Sequence, residues 1–209
     1  MNHIQEKYLR RAKVVALLLQ IVPFVRMVGL NGSLARGEAK KTSDIDFLII
    51  TKKGRIWTCR ALVTLATHLT GQRRYGLKVA GRICLNRYQT DKFLEIRPHN
   101  HYHRLVFSNL IPLVDIEGTY LKYFLANRWM KDWVKQIKFP EISAGESRIM
   151  RIFRKIGEKI LEKKLGDFLE KRFKNFQRKR ILTDIRTLRA PKGRVRISDQ
   201  ELCFHPLKE

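Results

Sequence analysis

Residues 45–51 form an apolar run that is rich in isoleucine and ends at the turn sequence Lys52-Lys53-Gly54. A short apolar run with such a boundary is typical of a β-strand that is buried on both faces. A second β-rich segment, residues 24–30, precedes it and is followed by the turn sequence Asn31-Gly32-Ser33. The two segments therefore predict a strand, a turn and a second strand.

Helical patterns flank these strands. Apolar residues recur at three- and four-residue steps from Ile4 to Gln20 and again from Ile56 to Leu69, which predicts two amphipathic helices. Residues 82–89 have the composition of a further strand. We therefore expect an α+β fold, in which a small mixed β-sheet core is flanked by helices and followed by a mostly helical C-terminal part.

The pattern changes in the second half of the chain. Residues 100–134 are rich in aromatic side chains at helical spacing, and a long helical run after Pro140 has an apolar stripe on one face and Lys and Arg on the other. We expect this stripe to pack against the aromatic helices. Residues 194–205 are typical of a β-hairpin. The predicted organisation is a core over residues 1–98 and a helical, strongly basic region over residues 99–209 that ends in this hairpin.

The charge of the chain indicates a polyanionic partner. Lysine and arginine number 44 against 19 acidic residues, which gives a net charge of +25. Residues 148–196 contain 18 basic and five acidic residues, although a solvated helix face normally mixes both signs. Nucleic acid, and RNA in particular, is the favoured partner. The residues predicted to contact it are Lys163, Lys164, Lys171 and Arg172.

An anionic membrane surface is the alternative partner for such a basic helix. It requires an apolar helix face that no protein core covers, whereas we expect the core of this chain to cover the stripe. No stretch is long and apolar enough to cross a bilayer as a helix. Three widely spaced cysteines argue against a disulfide framework and favour a reduced, cytoplasmic location.

Two carboxylates, Asp44 and Asp46, stand at the start of the 45–51 strand. Residues two apart in a strand point to the same side, so both carboxylates face one way and attract a cation. Carboxylates at this spacing suit Mg²⁺, with Mn²⁺ as the alternative, and Mg²⁺ takes its remaining ligands from water and phosphates. The Gly32-Ser33 turn can offer backbone N–H groups and a hydroxyl to phosphate oxygens. Together these features predict a site for a nucleoside triphosphate and its Mg²⁺.

The order of these features is itself informative. Gly32-Ser33, a spacer of ten residues, Asp44-Ile45-Asp46 and an apolar strand resemble the signature of the nucleotidyltransferases of the DNA polymerase β superfamily. The resemblance covers residues 4–89. It implies triphosphate contacts from the Gly-Ser pair, Mg²⁺ bound by the two aspartates, and transfer of a nucleoside monophosphate to an acceptor hydroxyl with loss of pyrophosphate. Arg36 is not a fixed part of that signature, but its guanidinium could reach the triphosphate.

Many members of the superfamily carry a third carboxylate on a later strand, and here the sequence departs from the pattern. The segment 82–89 contains no acid, and Asn86 offers its best metal-competent oxygen. An amide is a neutral, poorer ligand and accepts no proton near neutral pH. Three alternatives stay open: Asp91 or Glu95 completes the site from a shifted register, the site works with two carboxylates, or the protein binds nucleotide without efficient turnover.

Three function classes follow from these observations. The leading one is an Mg²⁺-dependent nucleotidyltransferase that acts on a hydroxyl of nucleic acid. The second is an adenylyltransferase that acts on a protein or a small molecule, for which a charge of +25 would be unnecessary. The third is a nucleic-acid-binding module on a degenerate scaffold, and Asn86 is its best support. The acceptor is left undetermined, because a fold does not fix a function.

Overall fold

A computed structural model describes residues 2–133, 146–191 and 193–204. Pro140 precedes the predicted long helical run and His205 ends the predicted hairpin, and both lie outside these residues. The strands are β1 (Val25–Asn31), β2 (Ile45–Thr51), β3 (Ile83–Thr90), β4 (Ile111–Asp115), β5 (Arg196–Ile197) and β6 (Glu201–Cys203). The helices are α1 (His3–Leu19), α2 (Gly32–Ala35), α3 (Ile56–Leu69), α4 (His101–Phe107), α5 (Thr119–Ala126), a 3₁₀ helix (Arg128–Trp133), α6 (Arg148–Leu161), α7 (Lys164–Thr183) and α8 (Ile185–Leu188).

The six strands form one mixed sheet in the order β4-β1-β2-β3-β6-β5. β1 pairs antiparallel with β2, and β2 pairs parallel with β3. Side chains alternate between the two faces of β2, so Phe47 and Ile49 contact one helical layer whereas Leu48 and Ile50 contact the other. Asp46 lies two residues before Leu48 and therefore belongs to the face of Leu48 and Ile50.

Helices cover both faces of the sheet, which confirms the expected α+β fold. α1, α3 and α7 pack on the face opposite Asp46 and bury Trp57 and Ile181. α4, α5 and the 3₁₀ helix pack on the face of Asp46 and bury Phe107 and Tyr123. None of the helices in the described part of the chain has both the length and the apolar character that crossing a bilayer requires.

The sheet extends beyond the first hundred residues. β4 comes from a segment that the sequence predicts to be helical. β5 and β6 pair as a hairpin within residues 194–205, where the sequence predicts one, and this hairpin joins the sheet through β3. The sequence does not predict β4, because Pro112 breaks the strand pattern. A proline fits there because β4 is an edge strand, and an edge strand can spare a backbone N–H. The division of the chain near residue 98 stays a prediction.

The long helical run is broken into two helices, and they pack differently from the prediction. α6 ends at Leu161 and α7 begins at Lys164, where Gly166 lies so close to the Leu161 carbonyl that no side chain would fit. α7 packs on α3, on the sheet face opposite the aromatic helices. The prediction that the apolar stripe packs against the aromatic helices is therefore wrong.

α6 turns its polar side toward the protein. Glu158 accepts hydrogen bonds from the Phe24 backbone N–H at 2.9 Å and from Arg26 Nη1 at 2.7 Å. Arg26 is buried, and a buried guanidinium is strongly destabilising without a counter-charge. Arg26 Nε also lies 3.5 Å from Glu117, so Glu158 is the nearer of its two counter-charges. The pair with Glu158 holds α6 in this orientation, in which five of its apolar side chains stay exposed. They are Ile149, Ile152, Phe153, Ile156 and Ile160.

Candidate active site

Gly32 joins the end of β1 to the start of α2 and lies against the Asp46 side chain. Its φ of 70° falls in the left-handed region, which favours glycine. A Cβ at this position would also overlap the Asp46 carboxylate oxygen Oδ2. Backbone conformation and space therefore both require glycine here, and Ser33 follows as the partly exposed second residue of α2.

Asp44 and Asp46 converge at the N-terminal end of β2, as the sequence predicts. One carboxylate oxygen of Asp44, one of Asp46 and the Sγ atom of Cys84 all lie within 4.8 Å of one another. Burial and the neighbouring Asp44 carboxylate raise the pKa of Asp46 to about 7. A buried carboxylate that holds a proton this strongly, with a second carboxylate beside it, forms a site that a cation would stabilise.

Asn86 reaches the same place from β3. Its Nδ2 donates a hydrogen bond of 2.7 Å to Asp46 Oδ1. β3 carries one extra residue at this point, because Asp46 pairs with Cys84 whereas Leu48 pairs with Arg87. Such a β-bulge redirects side chains and is common beside active sites. Asn86 therefore positions the Asp46 carboxylate as a hydrogen-bond donor.

Cys84 stands opposite Asp46 and was not singled out from the sequence. Burial, followed by the Asp46 and Asp44 carboxylates, raises the pKa of its thiol. A protonated thiol is a poor ligand for a hard cation such as Mg²⁺. Its place two residues before Asn86 on a predicted strand was the signal that could have identified it.

Neither Asp91 nor Glu95 lies beside the aspartate pair. The Asp91 backbone N–H donates to the carbonyl of Thr51, the last residue of β2, and its side chain accepts from the Lys53 N–H. Because β2 and β3 run parallel, Asp91 lies at the opposite end of the sheet from Asp44, about 20 Å away at 3.3 Å per residue. The Glu95 carboxylate is instead paired with Arg97 and His99, at 2.6 and 2.8 Å. The structure therefore places Asp91 away from the site, and Glu95 does not belong to the group of metal-competent atoms around Asp46.

Arg74 brings a positive charge into the site. Its Nη1 lies 2.6 Å from Asp44 Oδ2 and 3.8 Å from Cys84 Sγ. Arg74 belongs to the irregular segment between α3 and β3, which carries no signature that would identify it from the sequence. The guanidinium neutralises part of the charge that would otherwise attract a metal ion.

Replacement of Arg74 by Gln is expected to strengthen binding of divalent cations. The substitution removes a positive charge 2.6 Å from a carboxylate oxygen, and a like charge beside a cation site opposes binding. Calorimetric titration of the protein with Mn²⁺ at low ionic strength should show an affinity increase of about tenfold, equivalent to about 1.4 kcal/mol. Arg73→Gln is the matched control and should leave the affinity unchanged. Equal affinities in all three proteins would show that Arg74 does not oppose cation binding.

Tyr102 and Arg36 border the site from α4 and α2. Burial and the Asp46 carboxylate raise the pKa of Tyr102 to about 12, so it is a neutral phenol near the aspartates. The Arg36 guanidinium is held by the Glu38 carboxylate at 2.8 Å and by the Leu105 carbonyl at 3.3 Å. In this structure Arg36 therefore ties α2 to α4, and its predicted contact with a triphosphate stays a prediction.

The four basic residues predicted to bind nucleic acid are exposed on and beside α7, but the structure does not bring them to the aspartates. Lys163 and Lys164 follow Glu162, which pairs with Lys52 at the far end of β2. Lys171 and Arg172 lie up to two turns further along α7. That these four residues contact nucleic acid stays a prediction.

The C-terminal half of α7 packs along α3. α7 runs alongside α3, with Glu170 at the Trp57 N–H and Gln177 at Arg60. Burial lowers the pKa of Arg60, and the nearby charges of Arg73 and Arg180 lower it further. The C-terminal end of α7 therefore lies close to the segment that carries Arg74.

Comparison with known proteins finds a family match for the part of the chain that contains the aspartate pair. Residues 11–98 match the model of the nucleotidyltransferase domain family. No curated protein and no solved structure matches the chain. Residues 11–98 are therefore similar to a nucleotidyltransferase domain, in agreement with the resemblance to the DNA polymerase β superfamily. The matched segment contains the Gly-Ser turn, both aspartates, Arg74, Cys84 and Asn86.

Proposed function

We propose that the protein is a metal-dependent nucleotidyltransferase that transfers a nucleoside monophosphate from a nucleoside triphosphate to an acceptor hydroxyl on nucleic acid, with RNA favoured. The observation that carries this proposal is the convergence of Asp44 and Asp46 beside the Gly32-Ser33 turn in a domain of the nucleotidyltransferase family. The free thiols of Cys59, Cys84 and Cys203 support a cytoplasmic location.

The donor set fits one hard cation. Asp44 and Asp46 supply the carboxylate oxygens that Mg²⁺ or Mn²⁺ prefers, and they would hold the ion. A bound ion would neutralise charge on the phosphates of the nucleotide. Ser33 and the backbone of Gly32 would hold the triphosphate, so that the acceptor hydroxyl attacks the α-phosphorus and pyrophosphate leaves.

The site has two carboxylates where many relatives have three. Asn86 donates to Asp46 and cannot take a proton from the acceptor hydroxyl at neutral pH. We assign Asn86 the role of holding the Asp46 carboxylate in place. The Arg74 guanidinium, 2.6 Å from Asp44, contributes a positive charge on the side where no third carboxylate is found among the described residues.

The basic surface of α7 supports a nucleic-acid acceptor. Lys163, Lys164, Lys171 and Arg172 are exposed along one helix, and that helix ends near the Arg74 segment through Arg180. A helix of 20 residues is about 30 Å long. A bound nucleic-acid strand could therefore run along α7 toward the end of the sheet at which β2 begins and Asp44 lies.

The acceptor can be identified by label transfer. The full chain is incubated with Mg²⁺ and each α-³²P nucleoside triphosphate, together with RNA, DNA or lysate protein. Label in RNA is the expected result. Label only in protein or in a small molecule would favour an adenylyltransferase. Nucleotide binding without transfer to any acceptor would favour a non-catalytic module.

Charge reversal on α7 tests the acceptor surface. Changing Lys163, Lys164, Lys171 and Arg172 to Glu should weaken RNA binding for all sequences and reduce the salt slope by up to about 3–4, at about 0.7–0.9 for each phosphate that is no longer neutralised. Binding is measured by fluorescence anisotropy over a range of salt concentrations. Reversal of four exposed basic residues elsewhere gives a control with the same net charge: Lys7, Arg10, Lys92 and Lys122. If both variants lose equal affinity, α7 is not the binding surface.

A further inference from the structure

The surface of α6 has an unusual composition. Every exposed side chain on this helix is either apolar or basic, and its single acid, Glu158, is half-buried against Arg26. The apolar side chains are between 49 and 65% exposed. They are Ile149, Ile152, Phe153, Ile156 and Ile160. The exposed basic residues are Arg148, Arg151, Lys155 and Lys159.

The five apolar side chains share one face of the helix. Their spacing of three and four residues places them in a stripe along α6. The opposite edge holds the helix to the protein through Glu158, through the buried Arg154 and through Gly157, which lies against Pro23. Rotating the stripe inward would separate Glu158 from the buried Arg26, so the stripe is held outward.

An apolar stripe with a row of basic residues along one side of it favours some partners over others. A nucleic-acid backbone offers phosphates but no apolar surface for five such side chains. A second copy of this chain would bring another basic helix and a net charge of +25, which opposes association. An anionic bilayer offers both an apolar boundary and negative headgroups.

We propose that α6 binds an anionic membrane surface. The helix lies in the plane of the interface, with Ile152, Phe153 and Ile156 at the acyl boundary and Lys155 and Lys159 at the headgroups. This surface is distinct from the nucleotide site, and the proposal does not depend on nucleotidyl transfer. The protein is then held at a membrane as a peripheral protein by one helix.

Vesicle sedimentation of the full chain tests the proposal. The protein should sediment with vesicles of phosphatidylcholine and phosphatidylglycerol, and at least about tenfold less with pure phosphatidylcholine. Ile152→Ser with Ile156→Ser should weaken binding at least about tenfold, because two apolar side chains no longer enter the acyl boundary. Lys155→Glu with Lys159→Glu should also weaken binding and reduce its salt dependence.

Matched variants separate this role from a general effect. Leu65→Ser with Leu69→Ser removes two exposed apolar residues from α3 and should leave vesicle binding unchanged. The α6 variants should keep the parent circular dichroism spectrum and nucleotide affinity, because the changed side chains are exposed.

Failure of the parent protein to sediment with anionic vesicles would overturn the proposal. Full vesicle binding by the Ile152→Ser, Ile156→Ser variant would also overturn the proposal, since the stripe would then play no part in binding. A concentration-dependent dimer that the isoleucine variant abolishes, with no vesicle binding, would reassign the stripe to self-association.

Discussion

Replacement of Asp44 or Asp46 by Asn is expected to reduce nucleotidyl transfer at least about a hundredfold, the usual scale for the loss of one electrostatic group at a reacting centre. Each carboxylate supplies negative oxygen to a cation site that has two such groups and no third among the described residues. Label transfer from a nucleoside triphosphate measures the loss. Asp91→Asn is the matched control, because Asp91 lies at the far end of the neighbouring strand, and its activity should equal that of the parent.

The same Asp46→Asn substitution should stabilise the metal-free protein. Burial and the Asp44 carboxylate raise the pKa of Asp46 from 3.8 to about 7 in the folded state. The folded state thus binds this proton more tightly than the unfolded state, so stability falls as the pH rises from about 4 to about 7. Asn carries no charge and removes that penalty. In EDTA the gain in Tm should be largest at pH 8 and should shrink toward pH 4.

A loss of Tm that is equal at every pH would contradict this expectation. It would show that Asp46 contributes mainly as the hydrogen-bond partner of Asn86, whose Nδ2 lies 2.7 Å from its carboxylate. Undiminished transfer in the Asp44→Asn, Asp46→Asn double variant would rule out the site as a whole. The activity and the stability measurements therefore test the chemical and the electrostatic assignments separately.

Gly32→Ala is expected to be far more damaging than Gly37→Ala. Both glycines have a φ of 70°, so an alanine meets the same backbone strain at either position, on the order of 1–2 kcal/mol. A Cβ at Gly37 would meet open space, whereas a Cβ at Gly32 would overlap Asp46 Oδ2. The difference between the two variants thus isolates the displacement of the Asp46 carboxylate.

Steady-state kinetics and urea unfolding of the two glycine variants make the comparison. Gly37→Ala should lose stability but keep kcat/KM within about threefold of the parent. Gly32→Ala should lose at least about a hundredfold in kcat/KM, because displacement of a reacting group by 1 Å can cost that much. Equal losses of activity in both variants would mean that strain alone explains the requirement for glycine at position 32.

Local patterns in the sequence determined most of the core elements. The strand at 45–51 and the helix at 56–69 begin and end where the sequence predicts, because hydrophobic periodicity and turn residues act on neighbours in the chain. The sequence also predicts that Asp44 and Asp46 lie together, since residues two apart in one strand share a side whatever the strand packs against. The Gly-Ser turn likewise stands next to Asp46 through the pairing of two adjacent strands.

Contacts between distant segments were decided by the tertiary structure. Cys84 and Asn86 reach Asp46 only through the parallel pairing of β2 with β3 and the bulge within it. Arg74 reaches Asp44 from an irregular segment 30 residues away in sequence, and no periodicity indicates such a contact. The parallel direction of these strands also removed Asp91 from the site, because it placed the end of β3 far from the start of β2.

The orientation of α6 shows most clearly what the sequence pattern alone does not determine. An amphipathic period predicts a helix and the residues that share each face, but it does not say which face the protein will bury. Here the buried Arg26 pairs with two carboxylates, and Glu158 on the polar edge of α6 is the nearer, at 2.7 Å against 3.5 Å for Glu117. Leaving a buried guanidinium unpaired is strongly destabilising. The sequence thus determined that residues 148–161 are helical, whereas the neutralisation of one buried charge decided that the apolar stripe faces outward.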